Sequence, residues 1–115
     1  MVQPTIDTAI FDDLKETAGA EFVGELVDTF VVEAPAMLRD LRSALAAGNA
    51  DAFRRAAHSL KSNCNTFGAL TLAAKAKELE LTGLAAAVAA KGATIDAVEQ
   101  EYARVAAALT ELKNA

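Results

Sequence analysis

The sequence predicts an all-α protein, and three observations lead to that prediction. Strong helix formers dominate the 115 residues, with 28 alanines and only two prolines. β-branched and aromatic residues never cluster in the alternating pattern that strands show. Apolar residues instead recur every three or four positions in long segments separated by glycines. These segments predict five helices in a single domain over residues 1–115, with approximate bounds 7–18, 20–47, 50–66, 69–90 and 95–113.

The two N-terminal helices differ in length. The short first helix places Ile10, Phe11 and Leu14 on one side. The second helix has an apolar stripe whose members are three or four residues apart, namely Val23, Val27, Phe30, Ala34, Leu38, Leu41 and Leu45. Pro35 lies inside this helix and lacks the amide hydrogen that would bond to the Val31 carbonyl. We therefore expect a bend at this point rather than a break.

The third helix presents two different faces. Asn49 or Asp51 is expected to cap its start. Its apolar stripe consists of Phe53, Ala57, Leu60, Cys64 and Phe67. At about 100° per residue, His58 lies roughly 140° from the direction of Phe53 and therefore on a polar face. The other members of this polar face are Lys61, Arg54 and Asn65.

The fourth and fifth helices complete the expected bundle. Gly68 precedes the fourth helix, whose stripe is Leu72, Ala76, Leu79, Gly83, Ala86 and Ala90. Thr94 or Asp96 is expected to cap the fifth helix. Its apolar positions, which alternate three and four residues apart, are Ile95, Val98, Tyr102, Val105, Leu109 and Leu112. Such a seam favours shallow left-handed crossings, so we expect an antiparallel four-helix bundle with the short N-terminal helix packed on it.

The net charge and the cysteine content of the chain limit the classes of function that the protein can have. The net charge is −5 and the isoelectric point about 4.8, which argues against a nucleic-acid partner because phosphate backbones require a basic face. One cysteine cannot form an internal disulfide, which is compatible with a reducing compartment. No uncharged apolar run of membrane-spanning length and no signal pattern is evident. The expectation is a soluble cytoplasmic protein without a membrane partner.

His58 is the only histidine of the chain, and Lys61 follows it one helical turn later. A neutral imidazole beside a fixed cation suits a side chain that takes up and holds a phosphoryl group. A metal site is disfavoured, because zinc needs three or four converging ligands and the chain has one histidine and one cysteine. A hydrolytic triad with Ser62 is disfavoured as well, since no orienting carboxylate is evident. Cys64 lies on the apolar stripe and is expected to be a core residue.

Several segments of the sequence match those of a known family in residue type, order and spacing. The central segment is Ala57-His58-Ser59-Leu60-Lys61-Ser62, followed by Phe67-Gly68-Ala69. Upstream are Phe30, Glu33, Pro35, Leu38, Leu41, Ala44, Leu45, Gly48 and Asn49, and downstream is Leu79-Glu80. Together these segments resemble the histidine-containing phosphotransfer (HPt) domain of bacterial multistep phosphorelays, over nearly the whole chain.

The resemblance implies a phosphorelay intermediate. His58 would accept a phosphoryl group from a receiver-domain phospho-aspartate and pass it to another receiver, with Lys61 and also Arg54 stabilising the phosphate. Ser62 and Asn65 would lie where the receiver docks. Ser62 stands where the family often has glycine, and the following residue, Asn63, is bulkier than the family's small side chains.

The resemblance also sets expectations for partners. They are response-regulator receiver domains and a sensor or hybrid histidine kinase, and the acidic pocket and Mg²⁺ would belong to the receiver. The chain itself is expected to be a monomer without cofactor, bound metal or turnover of its own. Two alternatives remain open, namely the phosphoacceptor domain of a chemotaxis-type histidine kinase and a structural bundle that binds a partner helix.

Overall fold

The structure, a computed structural model, describes residues 5–114. They form five α-helices, which are α1 (Thr8–Ala18), α2 (Ala20–Ala47), α3 (Ala50–Phe67), α4 (Leu70–Ala89) and α5 (Ala93–Asn114). The described residues contain no strand, so the all-α class that the sequence predicts is confirmed. None of these five helices combines the length and the hydropathy that crossing a bilayer requires.

α2 continues through Pro35 without interruption. Because proline has no amide hydrogen, the Val31 carbonyl loses its usual partner one turn later in the helix. The Tyr102 hydroxyl of α5 donates to that carbonyl at 3.2 Å. The Tyr102 ring also packs edge-on against Phe30, with ring centroids 5.8 Å apart. A contact between α2 and α5 thus supplies the hydrogen bond that the proline removes.

α3 buries the stripe that its sequence predicts. Asn49 caps the helix, and its side chain accepts a hydrogen bond from the Ala52 amide at 3.0 Å. Asp51, the other candidate cap, lies in the first turn instead. The stripe residues are at most 3% exposed, and they are Phe53, Ala57, Leu60, Cys64 and Phe67. The opposite side of the helix is therefore the side available to solvent.

Gly68 ends α3 and connects it to the start of α1. Its φ of 81° lies in the left-handed region that favours glycine. The Asp7 amide donates to the Gly68 carbonyl at 2.8 Å, and a Cβ at Gly68 would lie only 2.8 Å from the Asp7 carbonyl oxygen. Asp7 also caps α1 by accepting from the Ala9 and Ile10 amides. Two separate reasons, the positive φ and the lack of room for a Cβ, therefore require glycine at position 68. The same contacts fix α1 to the helix that carries His58.

α4 is interrupted at Gly83, and the stripe predicted for it is wrong beyond that residue. Gly83 has φ 77° and ψ −174°, so the helix stops and resumes in a different register. After the interruption Ala87 is buried, whereas Ala86 is exposed and Ala90 is half-buried. The prediction assumed one uninterrupted helix, in which Gly83 would have been only a small packing residue.

α5 begins at Ala93, two residues earlier than predicted, and neither Thr94 nor Asp96 caps it. The Gly92 carbonyl accepts from the amides of Ile95 and Asp96 at 3.1 and 3.0 Å, so the turn runs directly into the helix. Thr94 lies in the first turn, and its buried hydroxyl has no hydrogen-bond partner within residues 5–114. The predicted caps are wrong because both residues are already helical.

The four long helices contact one another in the cyclic order α2, α3, α4, α5 and back to α2. α2 and α4 each lie against both α3 and α5, and α1 packs on α2 and α3. The largest fully buried side chains come from all five helices, and they are Phe11, Phe53, Leu41, Leu60, Leu72, Ile95 and Leu109. α3 therefore lies between α2 and α4, with the polar face that carries His58 directed outward.

Candidate functional site

His58 lies on the outer face of α3. Its side chain is 59% exposed, whereas the adjacent Ala57 and the nearby Leu60 are completely buried. The helical period alone predicts this difference, because adjacent residues point about 100° apart. The imidazole is therefore accessible to a partner while the same helix turn is fixed by the core.

Glu80 of α4 bridges the imidazole of His58 and the ammonium of Lys61. His58 Nδ1 lies 2.5 Å from Glu80 Oε2, and Lys61 Nζ lies 2.7 Å from Glu80 Oε1. Each carboxylate oxygen thus has its own partner on α3. The Glu80 side chain is only 15% exposed and that of Lys61 23%, so their contact is partly shielded from water, whereas the His58 ring remains exposed.

The bridge determines which ring nitrogen of His58 is free. The bonded Lys61 ammonium lowers the pKa of Glu80 against the opposing effect of partial burial, and the His58 contact lowers it further. An ionised carboxylate can only accept hydrogen bonds, so Nδ1 carries the hydrogen and donates it to Glu80. In a neutral imidazole Nε2 then carries the lone pair. The tautomer follows from this pairing and leaves Nε2 as the ring nitrogen with a free lone pair.

Ser62 and Asn65, the residues expected at the docking surface, are both exposed on the outer side of α3. Asn63 departs from the family pattern, and its side chain bends back along the helix to donate to the Ser59 carbonyl at 2.9 Å. The structure therefore places the extra bulk of Asn63 against its own helix rather than above His58.

Arg54 lies one helical turn before His58 but is engaged elsewhere. Its guanidinium donates to Asp51 at 2.8 Å, and Arg55 contacts the other oxygen of the same carboxylate at 3.2 Å. Both side chains of the Arg54–Asp51 pair are more than half exposed. Of the two cations predicted near the phosphate, the structure brings Lys61 into the cluster with His58 and Glu80, while Arg54 faces the N-terminal turn of α3.

Cys64 belongs to the core, as its position on the stripe predicts. The residue is fully buried, and burial raises the pKa of its thiol to about 12. The thiol therefore stays protonated at neutral pH and cannot act as a nucleophile. Within residues 5–114, no group of three or more His, Cys, Asp or Glu side chains is arranged to hold a metal ion.

Comparison with known protein families assigns the chain. The model of the Hpt domain matches residues 25–115. The chain belongs to the Hpt domain family. Among solved structures this Hpt protein is similar to the crystal structure of histidine-containing phosphotransfer protein B (HptB) from Pseudomonas aeruginosa PAO1, at 33% identity and a TM-score of 0.86, covering 98% of this chain and 97% of that one. Among curated proteins, no relative matches.

The Hpt assignment confirms the function class that the sequence predicts. The protein is a histidine phosphotransfer intermediate in phosphorelay signalling. Hpt domains act as carriers of the phosphoryl group, and their partners are receiver domains and histidine kinases.

The sequence reasoning missed the role of Glu80 in this Hpt site. Leu79-Glu80 contributes to the family resemblance, but no spacing rule connects residue 80 to residue 58 on another helix. One signal was available, because Glu80 directly follows Leu79 and so borders the buried stripe of α4. A carboxylate in that position lies near a helix that packs on α4, and of the two main neighbours, α3 and α5, the structure shows that it is α3.

Proposed function

We propose that His58 is the phosphoacceptor of this Hpt domain and that Nε2 is the reacting nitrogen. The observation that carries the proposal is the Glu80 bridge, which holds Nδ1 at 2.5 Å on an otherwise exposed ring. The same carboxylate holds the Lys61 ammonium at 2.7 Å, so the nucleophile and a cation are positioned by one group. An incidental surface histidine would have no need of such a shared, shielded partner.

The phosphoryl group would come from an aspartyl phosphate of a receiver domain. The Nε2 lone pair of His58 forms the N–P bond while the bond between phosphorus and the aspartate oxygen breaks, and that electron pair leaves on the aspartate carboxylate. The imidazole gains positive charge as the N–P bond forms, and the Glu80 carboxylate beside Nδ1 offsets that charge. The reverse step on a second receiver aspartate restores the Nε2 lone pair. The domain contributes positioning and charge, and it has no turnover of its own.

Lys61 is the cation that we assign to the phosphoryl group. It lies one turn from His58 on the same helix, and its side chain is 23% exposed. Phosphorylation places new negative charge beside it, which an ammonium stabilises through a charge-assisted hydrogen bond. Arg54 is the weaker candidate for this role because it is paired with Asp51, and we assign its charge to the docking of an acidic partner surface.

Ser62 and Asn65 form the part of the docking surface that lies beside and beyond His58. Ser62 is four residues after His58 and so projects from nearly the same side of α3. A small side chain there leaves room for a receiver to bring its aspartyl phosphate to Nε2. Asn65 lies one turn later and is exposed.

We further propose that α2 to α5 form an antiparallel four-helix bundle carrying α1, and that the domain acts as a cytoplasmic monomer. The closed packing order of the helices supports the bundle. The monomer is supported by the site itself, because His58, Lys61 and Glu80 all come from α3 and α4 of one chain. Light scattering on the purified protein measures the oligomeric state directly.

The test of the acceptor is labelling with a phosphorylated receiver domain. The label on the protein should be acid-labile and base-stable, as phosphohistidine is, and His58→Gln should abolish it while the helical circular dichroism is unchanged. Ser59→Ala, at the exposed neighbouring position, is the matched control and should label normally. Retained labelling of His58→Gln would contradict the proposal. Efficient labelling by a chemotaxis-type kinase core with ATP, but not by any receiver, would favour the alternative kinase phosphoacceptor.

The docking surface is tested by comparing Ser62→Gln with Leu60→Ala. Ser62→Gln should impair receiver-dependent labelling far more than it lowers the melting temperature, because the longer side chain stands between Nε2 and the receiver. Leu60→Ala should instead cost about 2–5 kcal/mol of unfolding free energy through a core cavity. Normal labelling of Ser62→Gln with unchanged receiver affinity would place the docking surface on another side of α3.

A further inference from the structure

A shallow cleft of about 240 Å³ continues from the His58 site along the groove between α3 and α4. It is lined by Lys61, Asn65, Leu70, Ala73, Ala74 and Lys77. Lys61 belongs to both the cleft and the Glu80 bridge, so the two regions are continuous. The cleft therefore brings a second ammonium group, that of Lys77, to the side of α3 and α4 where the phosphoryl group is expected.

Lys77 has one carboxylate within reach on its own helix. Side chains three and four residues apart on a helix are neighbours, and for Lys77 these neighbours are Ala73, Ala74, Glu80 and Leu81. The cleft residues that α3 contributes, Lys61 and Asn65, bring no carboxylate. Lys77 is exposed and takes part in no ion pair within residues 5–114. It is therefore a cation whose nearest helical counter-ion, Glu80, is already held by Lys61.

Phosphorylation of His58 changes the charge balance of the cluster. Among residues 5–114 of the unmodified protein, Glu80 is the one carboxylate that contacts both Lys61 and His58. A phosphoryl group carries a charge of about −1.5 to −2 at neutral pH, as in other phosphorylated side chains. Lys61 is then attracted by two anions at once, and its movement to the phosphoryl group would leave the shielded Glu80 carboxylate without a cation.

We infer that Lys77 is a positioning residue that bonds to Glu80 when Lys61 turns to the phosphoryl group on His58. The exchange keeps Glu80 ionised and bonded to Nδ1 in the phosphorylated state, while one full ammonium is released for the phosphate. Lys77 thus acts through Glu80 and Lys61 and does not itself contact phosphorus. This inference rests on the proposed function, in which His58 carries the phosphoryl group.

The test uses the intact chain phosphorylated with potassium phosphoramidate, from which Nε2 takes the phosphoryl group as ammonia leaves. Because the chain has one histidine, phosphohistidine gives a single ³¹P resonance, and its titration reports the proton dissociation constant of the phosphoryl group. Lys77→Ala should decrease that constant about two- to fivefold, the size of a lost half-exposed ion pair, because Lys61 is drawn back to Glu80. Lys77→Arg should restore the wild-type constant. Lys75→Ala removes a lysine of the same helix that does not line the cleft and should leave the constant unchanged.

A variant that lacks both Lys61 and Lys77 distinguishes two explanations. Either Lys77 replaces Lys61 at Glu80, or Lys77 attracts the phosphoryl group directly. Lys61→Ala should decrease the constant more than Lys77→Ala does, and Lys61→Ala with Lys77→Ala should match Lys61→Ala alone. The inference would be overturned if the effects of the two substitutions on the free energy of proton dissociation were fully additive. It would also be overturned if the Lys77→Ala constant equalled that of the wild type. In the unphosphorylated protein, Lys77→Ala should leave the melting temperature and the His58 ¹⁵N shifts unchanged, and changed ¹⁵N shifts would assign Lys77 to the resting site instead. Failure of the wild type to give a phosphohistidine resonance would contradict the proposed function itself.

Discussion

Within residues 5–114, ion pairs join α2 to α5 and α3 to α4, and these two helix pairs differ in their ratio of cations to carboxylates. Between α2 and α5, Arg42 contacts both Asp96 and Glu99, so one cation serves two carboxylates. The hydrogen bonds from Glu99 and then Asp96 raise the pKa of Arg42 further above its usual range. A second pair, Lys113 with Asp28 at 2.5 Å, joins the same two helices. All the charged groups in these contacts are engaged with one another.

Between α3 and α4 the ratio is reversed, because one carboxylate contacts two nitrogen-bearing side chains. Glu80 binds the Lys61 ammonium and the Nδ1 hydrogen of His58, and the second nitrogen of the imidazole is left without a partner within residues 5–114. If His58 is the phosphoacceptor, as proposed, the contacts between α2 and α5 are structural, whereas those between α3 and α4 also serve phosphoryl transfer. The first set of charges holds its two helices together, whereas the second set holds its helices together and also leaves Nε2 of His58 with a free lone pair.

The largest effect that follows from this comparison is on phosphoryl transfer. Glu80→Gln should slow labelling of His58 by a phosphorylated receiver about 10- to 100-fold, as when a metal-binding histidine loses the partner that orients its ring. The amide cannot both accept from Nδ1 and bind the Lys61 ammonium through two anionic oxygens. Glu99→Gln, the matched change between α2 and α5, should leave the rate unchanged. Equal rates for the two variants in a rapid-quench assay would contradict the functional distinction between the helix pairs.

The next effect concerns stability at Pro35. Tyr102→Phe should lower the unfolding free energy by about 1–1.5 kcal/mol, because the half-buried Val31 carbonyl then loses its donor. Adding Pro35→Ala supplies an amide for that carbonyl, so the cost of Tyr102→Phe should become smaller in the Pro35→Ala background. Urea unfolding of the four proteins in this cycle measures the coupling. Purely additive costs would show that the hydroxyl does not replace the missing helical bond.

A smaller effect is expected for Arg42. The guanidinium is 38% exposed, so Arg42→Ala should reduce the unfolding free energy by about 0.5–1 kcal/mol, as half-exposed ion pairs do. Phosphoryl transfer should be unaffected, since none of its partners contacts α3. Urea unfolding and the receiver labelling assay together check this prediction. Slower transfer in a fully folded Arg42→Ala protein would show that the α2–α5 contacts also position the site.

The parts of the fold that the sequence predicts well are those set by helical periodicity. The stripe of α3 fixes which residues are buried, and the exposed position of His58 follows from the same rotation. The register of α4 after Gly83 could not be obtained in this way, because a periodicity argument assumes an unbroken helix. The start of α5 was misplaced for a related reason, since Thr94 and Asp96 are good caps but the backbone had already turned helical at Ala93.

The candidate site shows the same division between local and non-local information. Lys61 is predictable because it lies one turn from His58 on one helix. Glu80 is not, because its contact with His58 depends on how α4 packs against α3. Arg54 shares the helix with His58, but its guanidinium bonds to Asp51, so its place near the phosphate stays a prediction. Periodicity locates the faces of helices, whereas the partners of a charged side chain depend on tertiary packing.

The smallest predicted effect is the acid dependence of stability at Glu80. The Lys61 ammonium lowers the pKa of this carboxyl in the folded chain. A carboxyl whose folded pKa lies below its unfolded pKa stabilises the fold above the unfolded value, and the contribution is lost as the pH falls through the folded value. The wild type should therefore exceed Glu80→Gln in unfolding free energy most near neutral pH, and the difference should shrink below about pH 5. Urea unfolding from about pH 7 to about pH 3 measures it, with Glu78→Gln as the control for loss of one exposed charge from α4. A difference that stays constant over this range would mean that the ion pair does not stabilise the folded site, and Glu80 would then act on His58 only through the orientation of its ring.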